Sequence, residues 1–152
     1  MWDMSKNLGY AFDDDKYNRL VLLFEPTFAT YIDRLVQEKS ALFAGDRHFI
    51  GFYLDNELPF ASYQNADPLR GIDLKHFLSL PERYKAAREY AEKFMRDNGI
   101  ASTGVITKKN QEDFRGMVAD YYYQLTTATV RRYDKEHLIL GTRLHDWSKY
   151  NQ

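Results

Sequence analysis

The sequence predicts an α/β protein in which parallel strands are joined by helices. Two short apolar runs, HFIGFYL at 48–54 and HLILG at 137–141, are bounded by turn residues and have the composition of strands buried on both faces. Helical segments lie between them, and parallel strands need such a crossover. The order helix, strand, helix, helix, strand therefore favours one α/β domain over residues 1–152.

The helices are predicted from apolar residues that recur at a spacing of three or four. One helix opens on a proline, runs over 26–43 and stops before Gly45. A second opens at Pro81 and ends at Gly99, and a third runs over 110–133. The expected inner faces are Phe28, Tyr31, Ile32, Leu35 and Leu42; Tyr84, Ala87, Ala91, Phe94 and Met95; and Phe114, Met117, Val118, Tyr121, Leu125 and Ala128.

Other segments are harder to interpret. The run LVLLF at 20–24 is either a strand or a buried loop, and residues 55–80 form a long connection with one helical turn near 73–78. The acidic run at 13–16 is expected to be a solvated turn, because no spaced oxygen ligands follow it.

Composition excludes several classes of function. The chain has no cysteine and a net charge of −1, so disulfide frameworks, thiolate chemistry and an electrostatic footprint for nucleic acid or an anionic membrane are not expected. No apolar run approaches the length of about 20 residues that spans a bilayer. Phosphate-loop, dinucleotide, nucleophile-elbow and zinc-protease motifs are absent from the sequence, and no spacing predicts a metal site.

Polar residues follow both predicted strands, where function gathers in parallel α/β folds. They are Asp55, Asn56 and Glu57 after the first strand, and Thr142, Arg143, His145 and Asp146 after the second. If the two strands are neighbours, both sets lie on one edge of the sheet. The same rule assigns His48 and His137, which begin the strands, to a structural role and leaves His76 open.

Glu57 is the sharpest catalytic candidate. A carboxyl group shielded by aromatic rings can have a raised pKa and act as a general acid, while the amide of Asn56 holds a substrate hydroxyl. Aromatic residues that could stack on sugar rings follow the two strands closely: Phe60, Tyr63, Trp147 and Tyr150. The alternatives are that the Asn-Glu pair is accidental and that these rings pack as a lid.

Three segments resemble one enzyme family. FIGFYLDNELPF (49–60), LKHFLSLPERY (74–84) and ATVRRYDKEHLILGTRL (128–144) are similar to retaining glycoside hydrolases with (β/α)₈ barrels, of the clan A type. The likeness is closest to the agarase and porphyranase branch, with β-galactosidase-like enzymes behind it. It covers roughly residues 26–147.

The resemblance implies a role for particular residues. Glu57 would be the general acid/base at the end of the fourth barrel strand, and Asn56 would contact the sugar hydroxyl beside the reacting carbon. Arg143 and His145 would line the sugar cleft after the fifth strand. Phe60 and Trp147 join the substrate-binding set from their position after the strands, as candidate stacking rings, and not from the resemblance. The mechanism needs only carboxyl groups, so no metal or organic cofactor is expected.

One departure from the family follows from the same comparison. The family's nucleophile comes from the seventh strand, whereas this sequence reaches only the fifth, and a full barrel takes at least about 200 residues. Asp55, Asp67 and Asp146 are nearby carboxylates, but none occupies the nucleophile's position. We therefore expect a partial (β/α)₈ barrel, whose open strands would favour self-association or complementation by the missing barrel segments.

Three functions follow from these patterns. The first is a glycoside hydrolase fragment that acts on β-linked galactan-type polysaccharide, such as agarose or porphyran, by a retaining mechanism. The second is a non-catalytic carbohydrate-binding remnant that uses Asn56, Arg143, Trp147 and Tyr150. The third is a helical interaction protein. The first ten residues lack a signal peptide's features, although full-length relatives would be secreted or periplasmic.

Overall fold

A computed structural model of the chain describes residues 19–56, residue 58 and residues 72–143. These residues are mostly helical and include two short parallel strand pairings. The coarse α/β prediction is confirmed, and a (β/α)₈ barrel is not shown. The α-helices are α1 (Pro26–Ala41), α2 (Leu74–Leu78), α3 (Lys85–Asp97) and α4 (Lys108–Tyr133); the strands are β1 (Gly51–Phe52), β2 (Asp55–Asn56), β3 (Leu138–Ile139) and β4 (Thr142–Arg143); and 3₁₀ helices occupy Arg19–Phe24, Glu82–Tyr84 and Thr103–Val105.

The run at 20–24 is part of a buried 3₁₀ helix, so neither a strand nor a loop is correct. Leu20, Val21, Leu22 and Leu23 are all buried. A short continuous apolar run has no period of its own, and only the neighbouring elements decide its backbone. Here α3 and α1 pack against it. The run therefore contributes to the main core.

Helix α1 begins at the predicted proline and ends two residues earlier than predicted. Residues 42–45 form a turn, which closes at Gly45 with φ 76°. The side chain of Leu42 is 69% exposed, so its predicted place on the buried face is wrong. The helix has already ended there, and the helical spacing no longer decides which way the side chain points.

Helix α3 has the predicted buried face, but it begins at Lys85, after the 3₁₀ helix Glu82–Tyr84, rather than at Pro81. Tyr84, Ala87, Ala91 and Phe94 are buried and Met95 packs against them, as the helical spacing predicts. On its outer face, Lys85 pairs with Glu89 at 3.7 Å and Arg88 with Glu92 at 3.8 Å. Gly99, with φ 63°, lies just beyond its end.

Helix α4 has a buried face that differs from the prediction in its second half. Its buried residues are Phe114, Val118, Tyr122, Thr126, Thr129 and Val130. Tyr121 is 38% exposed and Ala128 is exposed, so both were wrongly placed in the core. From Phe114 the buried face advances in steps of four residues, which selects Tyr122 rather than Tyr121.

The two predicted strands are neighbours and run parallel. Gly51 pairs with Leu138 and Phe52 with Ile139 in β1–β3, and β2–β4 continues with the same offset between partners. The predicted strand at 48–54 is shorter, and the strand at 137–141 is interrupted before β4. Gly141 has φ 74°, a left-handed conformation that a strand cannot include, so the pairing breaks there.

The prediction that both faces of the strands are buried is wrong. Ile50, Tyr53 and Leu138 are more than half exposed, and Leu140 is partly exposed. Residues of α1 and α4, among them Ile32, Leu35 and Val130, line a cavity together with the segment 52–54. A continuous apolar run is typical of a strand that is covered on both faces. The run does not show whether a second covering layer is present in the fold.

Candidate functional site

The carboxyl ends of the two strands meet at one edge. Asp55 lies opposite Thr142, and Asn56 lies opposite Arg143, in the parallel β2–β4 pairing. The expectation that the polar residues after each predicted strand come together is therefore confirmed for these four residues. We call this group the strand-end cluster.

Backbone hydrogen bonds fix the approach to the strand-end cluster. Leu138 donates its N–H to the carbonyl of Ile50 at 3.0 Å, and Leu140 donates to that of Phe52 at 2.8 Å. Leu54 then donates its N–H to the carbonyl of Gly141 at 2.7 Å, across the break in the ladder. The two chains thus stay joined where the regular strand geometry is lost.

Tyr122 links helix α4 to the strand-end cluster. Its side chain is 2% exposed, and its hydroxyl donates to Oδ2 of Asp55 at 3.2 Å. The carbonyl oxygen of Leu54 lies 3.4 Å from the same hydroxyl. Burial and the negative charge of Asp55 raise the pKa of Tyr122, so the phenol stays protonated and donates at neutral pH.

Tyr122 is a residue that the sequence analysis missed. It lies in a run of three tyrosines, of which the predicted inner face of the helix includes only Tyr121. Its position four residues after buried Val118 is the signal that it points inward. Its contact with Asp55 could not be predicted without the register of the strands.

Thr142 and Arg143 offer polar groups at the same edge. The Oγ1 atom of Thr142 is buried and has no hydrogen-bond partner among the described residues. A buried hydroxyl without a partner destabilises the folded state. The side chain of Arg143 is exposed. This edge therefore carries a carboxylate at Asp55, a hydroxyl at Thr142 and a guanidinium at Arg143, with successive side chains of each strand on opposite faces.

Four predicted site residues lie outside the described residues: Glu57, Phe60, His145 and Trp147. The same holds for Tyr63, Tyr150, Asp67 and Asp146. The catalytic role of Glu57 and the stacking role of the aromatic rings stay predictions. Of the predicted set, the structure brings Asn56 and Arg143 together along their backbones.

His137 belongs to a structural unit at the opposite end of β3. Its Nδ1 lies 2.7 Å from Oδ2 of Asp134, whose Oδ1 accepts the N–H groups of Glu136 at 3.1 Å and His137 at 2.9 Å. Hydrogen bonds to Asp134 and to the carbonyl of Asp46 raise the pKa of His137. Burial raises the pKa of Asp134, but the hydrogen bonds from the backbone N–H and the ring of His137 lower it by more. The pKa of Asp134 therefore lies below its usual value.

The other two histidines have different surroundings. His48 is exposed, and its backbone N–H donates to Oδ1 of Asp46 at 2.8 Å. His76 is buried in α2 beside Phe77. Within residues 19–56, 58 and 72–143, no group of three or more ligating side chains could hold a metal ion. In those same ranges, no helix is long and apolar enough to span a bilayer.

Comparison with known proteins finds no match among protein-family models, curated protein sequences or solved structures. The functional interpretation therefore depends on the strand-end cluster and on the resemblance carried by the three quoted segments.

Proposed function

We propose that this chain is part of a retaining glycoside hydrolase that cleaves β-linked galactan polysaccharides such as agarose or porphyran. The observation that carries the proposal is the β2–β4 register, in which Asn56 lies opposite Arg143. This register joins the D-N-E-L and G-T-R segments, which are far apart in sequence and both belong to the resemblance. A parallel pair with its polar residues at the carboxyl ends is also the arrangement that barrel enzymes use.

In this proposal Glu57, which follows Asn56 in the sequence, is the general acid/base. It protonates the leaving glycosidic oxygen and later removes a proton from the attacking water. Retaining hydrolysis also requires a carboxylate nucleophile about 5 Å away. By resemblance that nucleophile comes from a later barrel strand. The chain thus supplies the acid/base half of the site, completed by other barrel segments.

The neighbouring polar groups would hold the sugar. Arg143 has an exposed side chain whose guanidinium can donate to ring hydroxyls, and Thr142 precedes it in β4. Neither group is consumed in the chemistry. We therefore expect oligosaccharide binding by this half of the site even where hydrolysis is absent.

Calorimetric titration with tetrasaccharides from agarose and porphyran tests the binding step. We expect a dissociation constant of about 1 mM, equivalent to about −4 kcal/mol, for the unaltered chain. Arg143→Ala should weaken it at least about tenfold, the loss of about 1.4 kcal/mol expected for a charged hydrogen bond. Arg96→Ala is the matched control, because Arg96 is an exposed arginine in the last turn of α3.

Release of reducing sugar from agarose, porphyran and β-galactosides tests the catalytic step. Release that Glu57→Gln abolishes and Glu136→Gln preserves would support the full proposal, since Glu136 is an exposed carboxylate before β3. Binding without release would support the carbohydrate-binding alternative. Absence of binding, or binding that Arg143→Ala leaves unchanged, would overturn the proposal and favour a helical interaction protein.

A further inference from the structure

Helix α4 contacts the strand-end cluster through one buried side chain. Tyr122 lies on the second half of this helix, and 67 residues separate it from Asp55, to which it donates. The phenol is 2% exposed, and its ring packs edge-on against Tyr123, with centroids 5.3 Å apart. The hydroxyl is therefore aimed at the strand by a rigid, packed ring rather than by a flexible surface chain.

The backbone at this point needs such support. The β1–β3 ladder has ended at Phe52, β2 has not begun before Asp55, and Gly141 interrupts the opposite chain. Leu54 is bonded on both sides of this gap: its N–H donates to Gly141 at 2.7 Å, and its carbonyl faces the Tyr122 hydroxyl at 3.4 Å. Because one hydroxyl carries one proton, the closer carboxylate at 3.2 Å is its main acceptor.

We infer that Tyr122 is a positioning residue that holds Asp55 and so fixes the β2–β4 pairing, in which Asp55 lies opposite Thr142 and Asn56 lies opposite Arg143. The inference rests on the proposed function, because positioning has meaning only if the cluster binds sugar. Tyr122 touches no substrate in this scheme. It acts through Asp55 and the Leu54 carbonyl.

Amide hydrogen exchange measures the positioning itself. Tyr122→Phe keeps the ring and removes the hydroxyl, so the amides of Asn56 and Arg143 should exchange about tenfold faster, as the loss of one buried hydrogen bond implies. Amides of α3 should not change. Tyr121→Phe is the matched control, since Tyr121 is the adjacent tyrosine and is 38% exposed.

Binding of the agarose tetrasaccharide measures how the positioning by Tyr122 affects the site. Tyr122→Phe should weaken binding about tenfold, and Asp55→Asn should weaken it similarly, with the double variant no worse than either one. Additive losses would contradict a shared action through Asp55.

The possible outcomes separate this inference from the proposed function. Unchanged exchange in Tyr122→Phe overturns the inference, whether or not sugar binds. Faster exchange with unchanged sugar affinity also overturns it, because Tyr122 would then be structural only. If the unaltered chain binds no sugar, the proposed function fails and the positioning role fails with it, while faster exchange would still establish the Tyr122–Asp55 contact.

Discussion

The helical part and the strand part of this chain are stabilised by different means. The helical part consists of the 3₁₀ helix at Arg19–Phe24 with α2, α3 and the first half of α4. The strand part consists of four two-residue strands and the turns that precede them. The helical part buries aromatic side chains on all sides. The strand part keeps apolar side chains exposed and depends on backbone hydrogen bonds and a few polar contacts.

Ring packing dominates the helical part. Phe114 is fully buried and meets Phe77 and Phe94 edge-on, with centroids 5.2 Å and 5.3 Å apart. Phe24 adds contacts to Phe77 at 6.0 Å and to Tyr90 at 4.2 Å. Such rings each bury a large apolar area and fix one another's orientation. This region therefore forms one continuous core.

Packing is looser around the strands. A cavity of about 130 Å³ lies between α1, α4 and the segment 52–54, lined largely by apolar side chains. Tyr53 and Leu138 are more than half exposed. The strand-end cluster, where function is proposed, therefore lies in the more loosely packed part of the molecule, as is common for binding sites.

Phe114→Ala should produce the largest effect, because it removes a ring at the centre of the helical core. We expect a loss of about 3–5 kcal/mol in the free energy of unfolding, measured by urea titration. Ile50→Ala, on an exposed residue before β1, should change it by less than about 0.5 kcal/mol. Similar losses would erase the contrast between the two parts. Phe114→Leu extends the test if the alanine variant does not fold.

Gly51→Ala should have the next largest effect, because a Cβ there would lie 2.2 Å from the carbonyl oxygen of Leu138. One strand must shift, so we expect a loss of about 1–3 kcal/mol and faster exchange at the amides of Leu138 and Leu140. Gly116→Ala in α4 meets nothing within 4 Å and should instead stabilise by about 0.5–1 kcal/mol. If both variants changed the free energy of unfolding in the same direction, this explanation would be refuted.

The helices could be predicted well and the environment of the strands could not. The buried face of α3 follows from spacing alone, since one turn repeats the next. The strands were predicted as a parallel pair, but exposure of Leu138 depends on which layers cover it, and composition does not contain that information. The error at Tyr121 has a simple cause: three consecutive tyrosines point in three directions, and only the four-residue step from Val118 selects Tyr122. The roles of Glu57 and Trp147 stay predictions.

The Asp134–His137 pair should produce a smaller effect that depends on pH. The raised pKa of His137 contributes stability that is fully present below the unfolded value of about 6.5 and is lost as pH rises through the folded value. The lowered pKa of Asp134 contributes stability that is present above about 3.9 and is lost as pH falls through its folded value. Both residues therefore contribute their full stabilisation between about pH 3.9 and about pH 6.5.

Urea titrations from pH 4 to pH 9 check this window. The difference in unfolding free energy between the unaltered chain and His137→Gln should be largest near pH 5–6 and should shrink toward alkaline pH. His48→Gln is the control, because His48 is exposed and begins the other predicted strand. A difference that stayed constant with pH would show that His137 acts by packing against Phe49 rather than by charge.

Leu138→Lys should have the smallest effect on folding and a clear effect on association. The side chain is 56% exposed, so the free energy of unfolding should change by less than about 0.5 kcal/mol. Beside Tyr53 and Leu140 it forms an exposed apolar face next to strand edges, and a lysine there hinders pairing with another chain. Sedimentation velocity should show weaker self-association for this variant. Leu42→Lys is the sharper control, because Leu42 is 69% exposed but lies outside the strands. If both lysines reduced association equally, the cause would be general apolar exposure, and the expected association through open strands would lose its support.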